Sequence, residues 1–341
     1  MAAFTSIDNP ELYFQAALFA GNGTAASSTQ SITFDGSEDM QPDLVWFKKR
    51  SGADDHELFD SARGVQKALD SNNENAEASG RGLTAFNSDG FTVGNGSSAG
   101  NQGATNENGH TFVTWNWKES ATAGFDIVLY TGTGSTNNVS HALSAVPHVM
   151  IVKRRNTSEG WQVYHHKQTS DPEDYVLTLD TTAATSDSNV RWNDTAPTSS
   201  VFTVESHGTV NGSSDTYVNY LWTEKQGFSK FGSYTGNGNA DGTFIYTGFK
   251  PAWIMLKRSS ASGDDWVILD NKRAGYNVAN YRLFANDSRD EETPAYIDFL
   301  SNGFKLRSSG NDNNGSGSTY IYMTFAEAPF VNSNGVPCNA R

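Results

Sequence analysis

One seven-residue pattern occurs three times in this chain and limits what it can fold into: a proline, five largely apolar residues, then a lysine. The copies are Pro42-Asp43-Leu44-Val45-Trp46-Phe47-Lys48, Pro147-His148-Val149-Met150-Ile151-Val152-Lys153 and Pro251-Ala252-Trp253-Ile254-Met255-Leu256-Lys257. A short run of β-branched, aromatic and aliphatic residues closed by a charge reads as a strand buried on both faces. The leading proline suits a first strand position, where its missing N–H does least harm. With prolines at 42, 147 and 251, the period is close to 105 residues. Three copies of one module are expected.

Other landmarks recur in step. Each module opens on an aromatic followed by G-x-G: Phe19-Ala20-Gly21-Asn22-Gly23, Tyr130-Thr131-Gly132-Thr133-Gly134 and Tyr234-Thr235-Gly236-Asn237-Gly238. This marks a strand entering a tight turn, where glycine permits positive φ. After the proline strand come His56, Trp161 and Trp266, and each module closes on an alternating aromatic strand ending at Trp117, Trp222 or Phe325. The predicted layout is a lead over 1–14 and β-sandwich modules over 15–121, 122–226 and 227–341, the last carrying a C-terminal tail. Solenoid repeats run to 20–50 residues. Modules of this size are expected to fold alone, as linked beads, with linkers near 119–124 and 224–227. Residues 61–69 are the one stretch expected to form a helical turn or two. Many short strands between polar turns predict an all-β chain of three tandem jelly-roll sandwiches.

Composition narrows the function. A net charge of −14 argues against nucleic-acid binding, which needs basic surface to displace counterions. No apolar stretch reaches the length of a membrane span. The single cysteine, Cys338, precludes an internal disulfide and a cysteine metal cage. Met1-Ala2-Ala3-Phe4 does not read as a signal peptide, so synthesis in a reducing cytoplasm is expected.

Catalytic patterns are sparse. Glycoside hydrolysis needs two carboxylates facing each other across a cleft, and no Glu-x-Asp-x-Glu occurs on a candidate strand. Asp54-Asp55 and Asp264-Asp265 are adjacent residues, read as turn residues. Asn237-x-Asn239-x-Asp241-Gly242 imitates half a calcium loop, but the acid required at position twelve falls on Gly248. No catalytic residue, metal site or cofactor is predicted. Binding candidates are Trp161, His165 and Trp192 in the divergent second module. The recurring pairs Asp60/Arg63 and Asp270/Arg273 join them; their alternative role is a charge-assisted hydrogen bond fixing a loop. Basic clusters at 48–50, 153–155 and 257–258 could meet acidic polysaccharide or simply end strands.

Together the proline–lysine strand, the aromatic with its Asp and Arg, Asn87-Ser88-Asp89-Gly90-Phe91, Ser301-Asn302-Gly303-Phe304 and Ala326-Glu327-Ala328-Pro329-Phe330 carry a resemblance. The chain resembles a repeated module of marine bacteriophage structural proteins with a concanavalin-like, lectin-type sandwich fold. That resemblance implies a non-enzymatic protein of the virion surface, made in the host cytoplasm, in the manner of a tail fibre or receptor-binding protein adhering to host glycans. Capsid decoration, as a cement or spike protein, is the alternative, and a glycan-degrading tailspike is disfavoured by the missing acid pair. Expected partners are other virion proteins of tail or capsid, host surface glycans and further copies of the chain in a homo-oligomer.

Overall fold

A computed structural model describes residues 4–23, 29–94, 103–275, 277–293 and 297–338. It is an all-β protein of antiparallel sheets, as the alternating and apolar runs predict. Each module builds one large sheet in the same order: opening strand, closing strand, proline strand, then the strands that follow it. The opening strands are Phe14–Ala20, Phe125–Thr131 and Ser229–Thr235; the closing strands are Thr111–Trp117, Thr216–Trp222 and Thr319–Pro329. Leu44–Lys49, Val149–Arg154 and Phe249–Arg258 are the proline strands, paired outward with Glu57–Asp60, Gln162–His165 and Val267–Asp270. A smaller two- or three-stranded sheet covers one face of each large sheet, completing a sandwich around its own core.

The proline strand is buried on both faces, and its two faces meet different cores. Val45 and Phe47, Met150 and Val152, and Ile254 and Leu256 point into the sandwich of their own module. The alternate residues, Leu44 and Trp46, Val149 and Ile151, and Trp253 and Met255, all enter one further core that the three modules share. Period-two alternation on a pleated strand produces this division. Closing-strand aromatics from the three modules meet there: the Trp117 ring lies 6.2 Å from Trp222 and 5.6 Å from Phe325. The modules are therefore not separate beads. Their large sheets turn inward around a pseudo-threefold axis, and each leaves an apolar face that only the other two can cover.

Backbone bonds close the ring with the same register at every junction. Asp54 N donates to Ser288 O, Glu159 N to Glu74 O and Gly263 N to Thr182 O, at 2.8, 2.9 and 3.0 Å. Return bonds run from Glu291 N to Arg50 O, Glu77 N to Arg155 O and Thr185 N to Ser259 O.

Three local expectations change. Pro42 and Pro147 precede their strands, but the third strand begins at Phe249, so Pro251 lies inside it, at register shifts on either side. A bulge releases the ladder bond that proline cannot make. Residues 61–69 form a turn that Gly64 ends at φ 86°, then enter the strand Lys67–Asp70. The helices are single turns elsewhere, such as Asn271–Ala274, capped by the Asp270 side chain. The first glycines of the G-x-G turns are needed for close approach: a Cβ on Gly21, Gly132 or Gly236 would lie 2.1–2.3 Å from a backbone carbonyl oxygen. No described helix is long and apolar enough to cross a membrane.

Candidate functional site

Buried polar groups organise the junctions before any surface site does. Lys48, Lys153 and Lys257 are fully buried, and each ammonium serves carbonyls in two modules. Lys48 Nζ donates to Asp54 O at 2.8 Å and to Ser288 O of module three at 2.9 Å. Lys153 donates to Glu159 O and, at 2.9 Å, to Glu74 O of module one. Lys257 donates to Asp264 O at 2.8 Å and to Thr182 O of module two at 3.2 Å. Burial lowers all three to about 8, so they remain mainly charged at neutral pH. The basic clusters are thus structural: Arg50 pairs with Glu291, Arg155 with Glu77, Arg154 with Asp215 and Arg258 with Asp264.

The seven binding candidates are also interior. Asp60 and Arg63 form a fully buried ion pair, and the Tyr220 hydroxyl of module two donates to Asp60 Oδ2 at 2.7 Å. Asp270 and Arg273 form the matching pair, and the Trp115 indole of module one donates to Asp270 Oδ2 at 2.9 Å. Tyr220 and Trp115 hold corresponding closing-strand positions. The third such position is Met323, which has no donor, and here the second module carries His165 rather than an aspartate. His165 Nε2 bonds the neighbouring Tyr322 carbonyl instead, at 3.1 Å. Divergence in module two answers a change of neighbour. Trp161 donates across a junction to Asp70 O at 2.8 Å, and Trp192 donates within its module to Tyr175 O at 3.0 Å. With their side chains committed inside, these seven residues make junctions and cores rather than a ligand-contacting surface.

The calcium-like loop resolves similarly. Asp241 pairs with Lys305 and Arg307, while the Asn237 and Asn239 side-chain oxygens accept N–H groups of their own loop. At the start of module two, Glu119 is raised to about 7 by burial and by neighbouring Asp126, and both carboxyls accept from Ile127 N, at 3.2 and 3.1 Å.

The candidate site is a groove of about 490 Å³ at the junction of modules two and three. Tyr246, 61% exposed, and Phe4, 50% exposed, form its aromatic walls. His148, Glu224, Gln226, Ser229, Lys230 and Thr247 supply its polar lining. Topology places each. His148 follows the proline, Glu224 ends module two, Ser229 and Lys230 begin the next opening strand, and Tyr246 ends an outer strand of the small sheet in module three. Glu224 Oε1 accepts from Phe231 N at 2.7 Å and its Oε2 from Lys230 Nζ at 2.9 Å. Glu224 N donates to His148 Nδ1 at 3.0 Å, which puts the proton of the neutral ring on Nε2.

His148, His166 and Glu224 bring three potential ligand atoms within 4.8 Å of one another. The arrangement fits hydrogen bonding better than a metal. The imidazoles stack at 4.2 Å and 23°, so their in-plane lone pairs run nearly parallel instead of converging. His148 Nδ1 and both Glu224 oxygens already accept hydrogen bonds, and His166 Nε2 lies 2.7 Å from Phe231 O. Burial lowers both histidines, His166 to about 4, so the pair is neutral at pH 7.

Residues 9–329, running through all three repeats, match one protein family. The chain belongs to the DUF7483 family. That family is described as a domain of unknown function, and no curated protein matches the chain. A single DUF7483 match across three modules agrees with a ring whose parts share a core. Sequence reading passed over this chain's groove because its residues come from sites as distant as 4 and 330; the available signal was that Asp43, His148 and Ala252 follow equivalent prolines yet differ in chemistry.

Proposed function

We propose that this protein is a non-enzymatic adhesin of a bacteriophage virion surface whose lectin-like modules hold host glycans. The observation that carries the glycan reading is the groove between modules two and three, with exposed Tyr246 and Phe4 beside hydrogen-bonding side chains. Sugar rings present apolar C–H faces that stack on aromatic rings and a hydroxyl rim that needs polar partners, and an amphipathic groove supplies both. The non-enzymatic part rests on the sequence, where no Glu-x-Asp-x-Glu pattern occurs on a candidate strand. The virion assignment rests on the module resemblance, and virion proteins and further copies of this chain are the expected partners. Purified protein is expected to bind a subset of a bacterial surface-glycan array, with Tyr246→Ala weakening that binding about tenfold. Silence across the array would remove the adhesion reading.

A second reading, capsid decoration, is favoured by the pseudo-threefold ring, which offers three related faces to a shell whose local symmetry is threefold. Cryo-electron microscopy of particles separates the two: density confined to the tail supports the first, and density over the capsid lattice supports the second.

A further inference from the structure

We infer that module one holds a hard divalent cation, calcium before magnesium, between the carboxylates of Glu57 and Asp70 beside the junction with module two. The two residues stand directly opposite each other on the paired strands Glu57–Asp60 and Lys67–Asp70. Partners in that position share a face of the sheet, with Cβ atoms about 4.5–5.5 Å apart. Both are buried, Glu57 at 1% and Asp70 at 5% exposure. One oxygen of each is accounted for: Arg81 reaches Glu57 Oε1 at 3.1 Å, and Asn73 Nδ2 donates to Asp70 Oδ2 at 3.3 Å. The other two, Glu57 Oε2 and Asp70 Oδ1, are buried without a hydrogen-bond partner among the described residues. Buried charge is paired or coordinates a metal, because leaving it unpartnered is costly. Two such oxygens on neighbouring side chains call for one positive partner between them.

The repeats show that the fold does not require carboxyls here. The matching pair is Gln162 and Thr178 in module two and Val267 and Phe284 in module three. The same place in the sandwich is thus built from neutral or wholly apolar residues, and acids enter it in module one alone. Beyond burial, the charge of Asp55 pushes both carboxyls up, and that of Asp54 pushes Glu57 up. Asp55 Oδ1 is held by Asn72 Nδ2 at 2.6 Å, which leaves Oδ2 to join the ligand set. One proton shared by Glu57 and Asp70 would leave most of that negative charge standing, whereas a divalent ion balances it. Carboxylate oxygens suit hard ions, and calcium accepts the geometry that two fixed strands impose more readily than magnesium, which demands an octahedron. Asp70 O also accepts from the Trp161 indole of module two, at 2.8 Å, so the ion braces the junction as well as the strand pair.

The test uses the full chain, stripped with chelator, and calcium, magnesium, manganese and terbium ions as probes. Calcium in excess is expected to raise the melting midpoint by about 3 °C or more, since an ion that binds the folded state alone stabilises it. Terbium is expected to emit on tryptophan excitation, because Trp161 lies against Asp70, and calcium should abolish that emission by displacement. The paired substitution Glu57→Gln with Asp70→Thr introduces the neutral residues that module two carries at these positions, and near-ultraviolet circular dichroism checks its fold. In that variant the midpoint shift should vanish, and calcium affinity by calorimetric titration should fall at least tenfold. An equal shift in variant and wild type overturns the site, because the ion would then sit on other carboxylates. Silence with all four ions overturns it too, and leaves a proton as the bridge between Glu57 and Asp70. The site stands apart from the glycan reading, and neither result bears on the other.

Discussion

The three buried lysines set the residue scale, because each satisfies one carbonyl of its own module and one of another. Lys257→Ala would leave Thr182 O and Asp264 O without that donor. A buried polar group that loses its partner costs about 1–3 kcal/mol, so a loss of about 2–5 kcal/mol is expected in urea denaturation. A change within 0.5 kcal/mol would show that water replaces the ammonium at no cost. Asp60→Ala strands the Arg63 guanidinium inside the protein, and breaking such a pair costs about 3–5 kcal/mol. His165 adds pH dependence. Burial pulls it from 6.5 to about 3 in the folded protein. Between those values the unfolded chain binds the extra proton, so this residue's contribution is present above 6.5 and is lost as pH falls. The expected slope is about 1.4 kcal/mol per pH unit. Glu57 and Glu119, raised by burial to about 8 and about 7, act in the opposite direction, so the measurement is a difference. His165→Asn should flatten the stability profile relative to wild type between pH 6 and 4, and parallel profiles would refute the assignment.

At the scale of elements, the proline strand shows what a pattern can convey. A run of four or five consecutive apolar residues announced burial on two faces, and the structure agrees. The pattern could not say that one face belongs to the module and the other to a core shared by three. Both surfaces are apolar, and hydrophobic residues carry no label for their partner. The linkers misled for a related reason. Glu119 and Glu224 read as polar connectors, yet their Oε1 atoms cap Ile127 N and Phe231 N of the next opening strand. Trp117, at the meeting of three closing strands, gives the element-scale prediction. Trp117→Ala should cost about 3–5 kcal/mol and lower the melting of the whole chain in one shift. A melt that splits, with two modules unaffected, would deny the shared core.

For the molecule as a whole, the ring is three modules deep in mutual dependence. A chain limited to 122–226 would expose Val149, Ile151, Tyr220 and Trp222, all buried in the shared core. An apolar face of that kind drives association. Such a fragment is expected to aggregate or to assemble into a homotrimer that rebuilds the ring, as seen by light scattering. A stable, cooperatively melting monomer would restore the beads-on-a-chain picture. The full protein should unfold in a single calorimetric transition.

By itself, the sequence determined the all-β class, the module and its threefold repetition, because those depend on local signals: side-chain alternation, turn residues and spacing. Only the tertiary structure decided that the modules close into a ring, that the recurring Asp–Arg pairs lie inside it, and that the groove lies where modules two and three meet. The reason is distance along the chain. Lys48 finds Ser288, Trp115 finds Asp270 and Arg63 finds Tyr220. Burial leaves each polar group needing a partner, but which partner it receives is set by how the sheets turn inward, and no local pattern records that.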